Sequence, residues 1–169
     1  MKYQKFLNLS ENYNLKIIYV YILYFKMDKQ KLYFKLNHVD AMVPKKGTKY
    51  SAGYDLYTIE SQVVLPRKFI KLDTGVSVCI PNGYFGKIEA RSSMGVKGLS
   101  VLGGVIDSDY RGSLAVILLN NSDEAYHIKK HDRVAQMVIH KILENEDIVV
   151  SEELDYTERQ DKGFGHTGK

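Results

Sequence analysis

Cysteine is almost missing from these 169 residues. Cys79 stands alone, so no internal disulfide framework can staple the fold, and no zinc site built on paired thiolates can form. A single thiol fits a reducing compartment, and the chain is expected in the cytoplasm, or in the nucleus of a eukaryotic or virus-infected cell. The five histidines show no His-Glu-x-x-His spacing and read as ordinary imidazoles, so no structural metal is implied. Long apolar runs are lacking as well. The run at residues 17–25, between Lys16 and Lys26, has about half of the ~20 residues needed to span a bilayer. It is followed by no small-x-small cleavage site, and arginine is absent where a transit peptide would carry it. Met27-Asp28-Lys29-Gln30 resembles an ordinary start, so residues 1–26 are expected to be a disordered extension outside the core. No membrane partner is expected.

A basic stripe is also lacking. The formal net charge is +4, but residues 1–31 carry all of it, with six lysines against Glu11 and Asp28. The remainder is formally neutral, and a neutral core cannot grip a nucleic-acid backbone along its length, so nucleic acid is not expected as a partner. Helical patterning is scarce too: no long window sustains an apolar period of 3.6 residues without a Gly or Pro.

What is present points to strands. From Leu32 onward, short segments rich in Val, Ile, Leu, Tyr and Phe alternate with turns of Gly, Pro, Asn and Asp about every ten residues, the spacing of an all-β sandwich or barrel. Leu32, Phe34 and Leu36 alternate with polar neighbours, as in a half-buried strand. Residues 69–80 form one long bent strand or two short ones, closed by the turn Pro81-Asn82-Gly83. Residues 84–90, 113–120 and 133–142 are further strands, and one helical turn is expected at 92–96. The fold class is all-β, a jelly roll or distorted β-barrel with at most one short helix. The expected core domain spans residues 27–151. A charged arm, residues 152–169, ends in Gly163-Phe164-Gly165-His166-Thr167-Gly168, and that glycine content holds no regular structure without a ligand.

Five segments carry candidate chemistry. Asp55, in Ala52-Gly53-Tyr54-Asp55-Leu56-Tyr57, is a carboxylate suited to a hydrated magnesium ion. Glu89-Ala90-Arg91-Ser92-Ser93-Met94-Gly95 sets a guanidinium and two hydroxyls at the start of a turn whose backbone N–H groups suit phosphate oxygens. In Gly103-Gly104-Val105-Ile106-Asp107-Ser108-Asp109-Tyr110-Arg111-Gly112, glycines allow close backbone approach, Asp107 can accept a proton from water, and Tyr110 offers a flat face. Asp132-Arg133-Val134-Ala135-Gln136 opens a strand with a cation and an amide. Arg159 introduces the glycine-rich tail. Of 24 basic residues only five are arginine, and Arg91, Arg111, Arg133 and Arg159 all fall in these segments. Arginine is kept where a planar, two-pronged donor is needed, with Arg67 the exception.

In order and separation, the five segments resemble the five motifs of the trimeric dUTPase family, from about residue 50 to residue 168. That resemblance implies a homotrimer of jelly-roll subunits that hydrolyses dUTP to dUMP and pyrophosphate with Mg2+. Its three sites would lie at subunit interfaces, with the arm of one chain closing over the site of another. By similarity Asp107 is the general base and Tyr110 stacks on the deoxyribose. Uracil is read by the hairpin that carries Leu102, Gly104, Val105 and Ile106, and Phe164 covers the base. Arg91, Ser92, Ser93 and Gln136 bind the phosphate chain, with Arg159, Gly165 and Thr167 at its far end, and Asp55 orders magnesium waters. The chain departs from the usual pattern at Ser93 and His131, each in place of Gly, at Gln160-Asp161-Lys162, which stiffens the hinge of the arm, and at His166 in place of Ser. A dCTP deaminase shares the fold but needs an Arg where Val96 stands and a Glu within 115–119, which is apolar here. A relative turned into a nucleotide-binding or signalling module would keep the fold without needing the base.

Overall fold

The computed structural model describes residues 31–144 and 146–161. The expected extension at 1–26 lies outside the described residues, as do Phe164, Gly165, His166 and Thr167. Among the described residues no helix is long and apolar enough to cross a membrane.

Branched and aromatic residues in short alternating runs make the strands: β1 (Tyr33–Leu36), β2 (Lys45–Lys46), β3 (Tyr54–Tyr57), β4 (Gln62–Val64), β5 (Phe69–Asp73), β6 (Val76–Cys79), β7 (Tyr84–Glu89), β8 (Leu99–Leu102), β9 (Val105–Ile106), β10 (Ala115–Asn120), β11 (Tyr126–Ile128) and β12 (Arg133–Lys141). One helical turn, α1 (Ser92–Gly95), sits between β7 and β8. Residues 69–80 form two strands, parted at Gly75, whose φ of 64° suits glycine. Gly83, at φ 79°, closes the expected turn after Pro81.

Every strand pairing is antiparallel. The largest sheet has the order β2-β3-β12-β7-β9, a second β5-β10-β8, and β1-β6 and β11-β4 are two-stranded. The sheets wrap one core as an all-β jelly roll. Along β10, Val116 and Leu118 point inward while Ala115, Ile117 and Leu119 stay half-buried, the two-residue period of a strand covered on one face. Leu56, Leu72, Leu114, Val134, Ala135 and Met137 are fully buried with them. The buried amide of Asn120 is satisfied: its Nδ2 donates to the carbonyls of Val64 and Glu124, and its Oδ1 accepts from the backbone and hydroxyl of Ser122. Such a group would be costly if unpaired.

The alternation at β1 is only partly realised. Leu32 and Phe34 pack against the core, but Leu36 is 45% exposed. β1 pairs with β6 alone, and Leu36 at its far end stays half-exposed.

Strand β12 departs from regular pairing. Arg133 faces Tyr57 while Ala135 faces Leu56, so Val134 is an extra residue in a β-bulge. Val134 and Ala135 are therefore buried in succession. The inserted residue puts Arg133 and Gln136, which strict alternation would send to opposite faces, on the same one.

Candidate active site

The bulge builds the first half of the site. Gln136 on β12 lies directly between Asp55 on β3 and Glu89 on β7. β7 then runs into Arg91, whose extended backbone (φ −78°, ψ 147°) turns the chain into α1. The Arg91 carbonyl accepts from the N–H groups of Met94 and Gly95, at 2.9 and 3.0 Å. Arg91, Ser92, Ser93, Asp55, Arg133 and Gln136 then share a cleft of about 380 Å3 with Gly47, Ser51 and Gly53.

Asp55 anchors this cleft. Its side chain is 12% exposed, and its carboxylate takes Arg91 Nε on Oδ1 at 2.9 Å and Arg133 Nη1 on Oδ2 at 3.3 Å. Two guanidiniums thus share one buried carboxylate, which fixes them and leaves a net positive pair facing the cleft. The Gln136 amide is held by donating from Nε2 to the Ala90 carbonyl at 3.2 Å, which leaves its oxygen and second amide proton for a ligand. The hydroxyls of Ser92 and Ser93 have no hydrogen-bond partner among the described residues. A Cβ on Gly53 would stand 2.5 Å from Gln136 Oε1 and 2.9 Å from its Cβ, so only glycine lets Gln136 lie flat along the cleft wall.

Magnesium has no protein cage here. Among the described residues no group of three or more His, Cys, Asp or Glu could hold a metal ion, and Asp55 is the only carboxylate lining the cleft. Each Asp55 oxygen accepts one guanidinium bond and keeps capacity for another. That fits an ion arriving with phosphate oxygens and its own waters, one of them resting on Asp55.

The second half lies around the turn that joins β8 to β9, two strands that belong to different sheets and do not pair with each other as the expected hairpin would have them. Gly103 and Gly104, at φ 66° and 90°, reverse the chain. The Gly104 carbonyl accepts from the Ile88 N–H at 2.8 Å, and the Gly103 carbonyl from Lys87 Nζ at 2.9 Å. Leu102, Gly104, Val105, Ile106, Asp107 and Tyr110 line a cleft of about 260 Å3 with Lys71, Ser113, Ala115 and Ile117. β8 pairs only with β10, and β9 only with β7, so each offers a free backbone edge among the described residues. Such edges carry the donors and acceptors that can read a planar base.

Asp107 is exposed, and its carboxylate has no partner among the described residues. Tyr110 folds back over Gly112, where a Cβ would collide with the ring, and its hydroxyl donates to the Ser113 carbonyl at 3.1 Å. Arg111 serves its own loop: its Nη1 donates to the carbonyls of Ser108 and Tyr110. Arg67, the arginine outside the motifs, makes a forked contact from Nε and Nη2 to Asp123 Oδ1.

The two clefts share no lining residue. Arg159 is exposed and lines neither of them. Lys71 was not legible as a site residue from any motif; only the alternation of β5, which buries Leu72, sets it on the outward face. Among the departures, Ser93 carries no strain, since its backbone is helical. His131 and Gln160, by contrast, adopt φ of 68° and 48°, the region where glycine is relaxed.

A family model described as dUTPase matches residues 40–168. The chain belongs to the dUTPase family. It is 43% identical over 136 residues to the deoxyuridine 5'-triphosphate nucleotidohydrolase of Kluyveromyces lactis, covering 80% of this chain and 92% of that protein. It is 45% identical over 129 residues to the enzyme of the same name from Paramecium bursaria Chlorella virus 1, covering 76% and 91%. Among solved structures, the Staphylococcus bacteriophage 80alpha dUTPase with dUPNHPP superposes with a TM-score of 0.76 at 31% identity, over 82% of this chain and 99% of that one. A dUTPase from phage phi11 of S. aureus, described for its coordination of a structural Mg(II) ion, matches with a TM-score of 0.69 at 28% identity, over 75% and 99%.

Proposed function

We propose that this chain hydrolyses dUTP to dUMP and pyrophosphate, as its family relatives are named for doing, at sites assembled between copies of a homotrimer. The observation that carries the assembly is the division of labour between the two clefts. One holds an unpaired carboxylate, a tyrosine ring and free backbone edges but one cation, Lys71. The other holds two guanidiniums, two hydroxyls and an amide but no flat apolar wall for a base. A nucleoside triphosphate needs both, and a cyclic assembly can set one cleft of one copy against the other cleft of its neighbour.

In that assembly Asp107 accepts a proton from water as the water oxygen bonds to the α-phosphorus. The bond from that phosphorus to the bridging oxygen breaks, and pyrophosphate leaves with the electron pair. Arg91, Ser92, Ser93 and Gln136 hold the phosphate oxygens, donating hydrogen bonds where negative charge grows. Magnesium bound with the triphosphate would draw off part of that charge. Leu102, Gly104, Val105 and Ile106 present their backbone edges to the base, and Tyr110 packs against the sugar. The arm, with Arg159, Phe164, Gly165 and Thr167, closes over a neighbour's site and excludes water.

The test is pyrophosphate release with dUTP, dCTP, dTTP or UTP in the presence of magnesium. Turnover of dUTP alone is expected. Silence with dUTP, or ammonia from dCTP, would overturn the proposal.

A further inference from the structure

Ser77 stands on β6 between Val76 and Val78, both buried apolar residues. Strand alternation then turns Ser77 to the outer face, yet it is only 7% exposed. Its cover is the loop that carries Tyr110. Ser77 Oγ donates to the Gly112 carbonyl at 2.9 Å and accepts from Asn37 Nδ2 at 2.7 Å. Asn37 follows β1 directly, and its backbone N–H donates to the Gly75 carbonyl at 2.8 Å.

The next two residues of the loop are pinned as well. Ser113 Oγ donates to Asp73 Oδ1 at 2.9 Å, an oxygen that also accepts from the Gly75 N–H at 2.8 Å. The Leu114 N–H donates to the Val76 carbonyl at 2.7 Å. Tyr110 rests on this pinned stretch: its ring lies against Gly112, where a Cβ would collide with it, and its hydroxyl donates to the Ser113 carbonyl. Tyr110 is itself 44% exposed, so packing holds the ring on one side alone, and its pose follows that of the peptide joining Gly112 to Ser113.

We propose that Ser77, backed by Asn37, is a positioning residue that sets Tyr110 against the sugar and thereby fixes the preference for deoxyribose over ribose. The inference rests on the reading of Tyr110 as the wall beside the sugar. An added 2′-hydroxyl is rejected only by a wall that does not give, and slack of ~1 Å admits it. Neither Ser77 nor Asn37 lines the nucleoside cleft, so both act through the loop. Loss of the Ser77 hydroxyl should cost little stability, because Asn37 is exposed and Gly112 half-buried, and the groups set free can bond to water.

The test is the ratio of dissociation constants for the non-hydrolysable imido analogues of dUTP and UTP, measured by calorimetry with magnesium. Ser77→Ala should narrow the preference for the deoxy analogue by about tenfold, and Asn37→Ala by about threefold. The double variant should match Ser77→Ala, since Asn37 acts through that hydroxyl. In the nucleotide-free protein, Ser77→Ala should speed backbone hydrogen exchange across residues 107–113 while β12 stays slow. Equal weakening of both analogues, additive effects in the double variant, or unchanged exchange in the loop would each overturn the proposal. Neither readout requires turnover. A protein that shows the expected ratios but releases no pyrophosphate from dUTP would defeat the activity reading and leave the positioning role intact, whereas hydrolysis of dUTP with a ratio unmoved by Ser77→Ala would defeat the positioning role alone.

Discussion

Asp107 stands exposed at the end of β9 with its carboxylate unpaired among the described residues, and a base that takes a proton from water needs that freedom. Asp55, in the phosphate cleft, is in the opposite condition, buried and held by two guanidiniums. Asp107→Asn keeps the volume and removes the basicity. It is expected to lower turnover by about two to four powers of ten while circular dichroism and nucleotide binding stay as in the parent, and near-normal turnover would remove Asp107 from its role. Gly53 presents a different kind of requirement. The Cβ of Gly53→Ala would stand 2.5 Å from Gln136 Oε1, so Gln136 must swing out of the phosphate cleft. The expected result is a KM for dUTP raised by about tenfold, on the order of one lost hydrogen bond to a charged group, with a lowered urea unfolding midpoint as well, because the same Cβ would stand 2.9 Å from the Gln136 Cβ, a contact that no rotation of that side chain relieves. An unaltered KM would mean that Gln136 does not touch the substrate.

At the scale of elements, the longer runs were legible: β5, β6, β7, β10 and β12 stand within a residue or two of where the pattern sets them, whereas β2, β3, β4, β8, β9 and β11, of two to four residues each, are too short to show a period and were not set out as strands. The helical turn at Ser92–Gly95 was legible for the same local reason. The bulge at Val134 was not, since whether an extra residue enters a ladder depends on the partner strand β3, which no pattern within β12 reports. Without the bulge the alternation would separate Arg133 from Gln136, so the composition of the phosphate cleft could be read from motifs but not from periodicity. The positive φ at His131 was visible only as an unusual residue in a familiar motif. The arm is the element least tied to the rest, because among the described residues every core side chain lies between Leu32 and Ile139. Deleting residues 163–169 is therefore expected to leave the thermal unfolding midpoint within about a degree of the parent, since surface changes of under ~0.5 kcal/mol move it little. Turnover of dUTP should fall by at least an order of magnitude, as lid contacts complete such sites, and full activity in the truncated protein would contradict the lid.

At the scale of the whole molecule, the separation of the two clefts makes a quantitative claim. If each site takes Asp107 from one copy and Arg91 from its neighbour, two damaged chains can repair each other. Asp107→Asn leaves an intact phosphate cleft, and Arg91→Ala leaves an intact nucleoside cleft. Refolded together in equal amounts and assorting at random around a cyclic trimer, half of the nucleoside clefts come from the Arg91→Ala chain. Half of those meet a phosphate cleft from the Asp107→Asn chain, so about a quarter of the sites are whole. Mixed protein should thus recover about a quarter of parental turnover although each variant alone is nearly inactive, and sedimentation should give the mass of three chains. A site built within one copy predicts no recovery at any mixing ratio, because every chain then carries a broken site. The ratio dependence is diagnostic as well: recovery should peak at equal amounts and fall off symmetrically, following the product of the two chain fractions rather than either fraction alone.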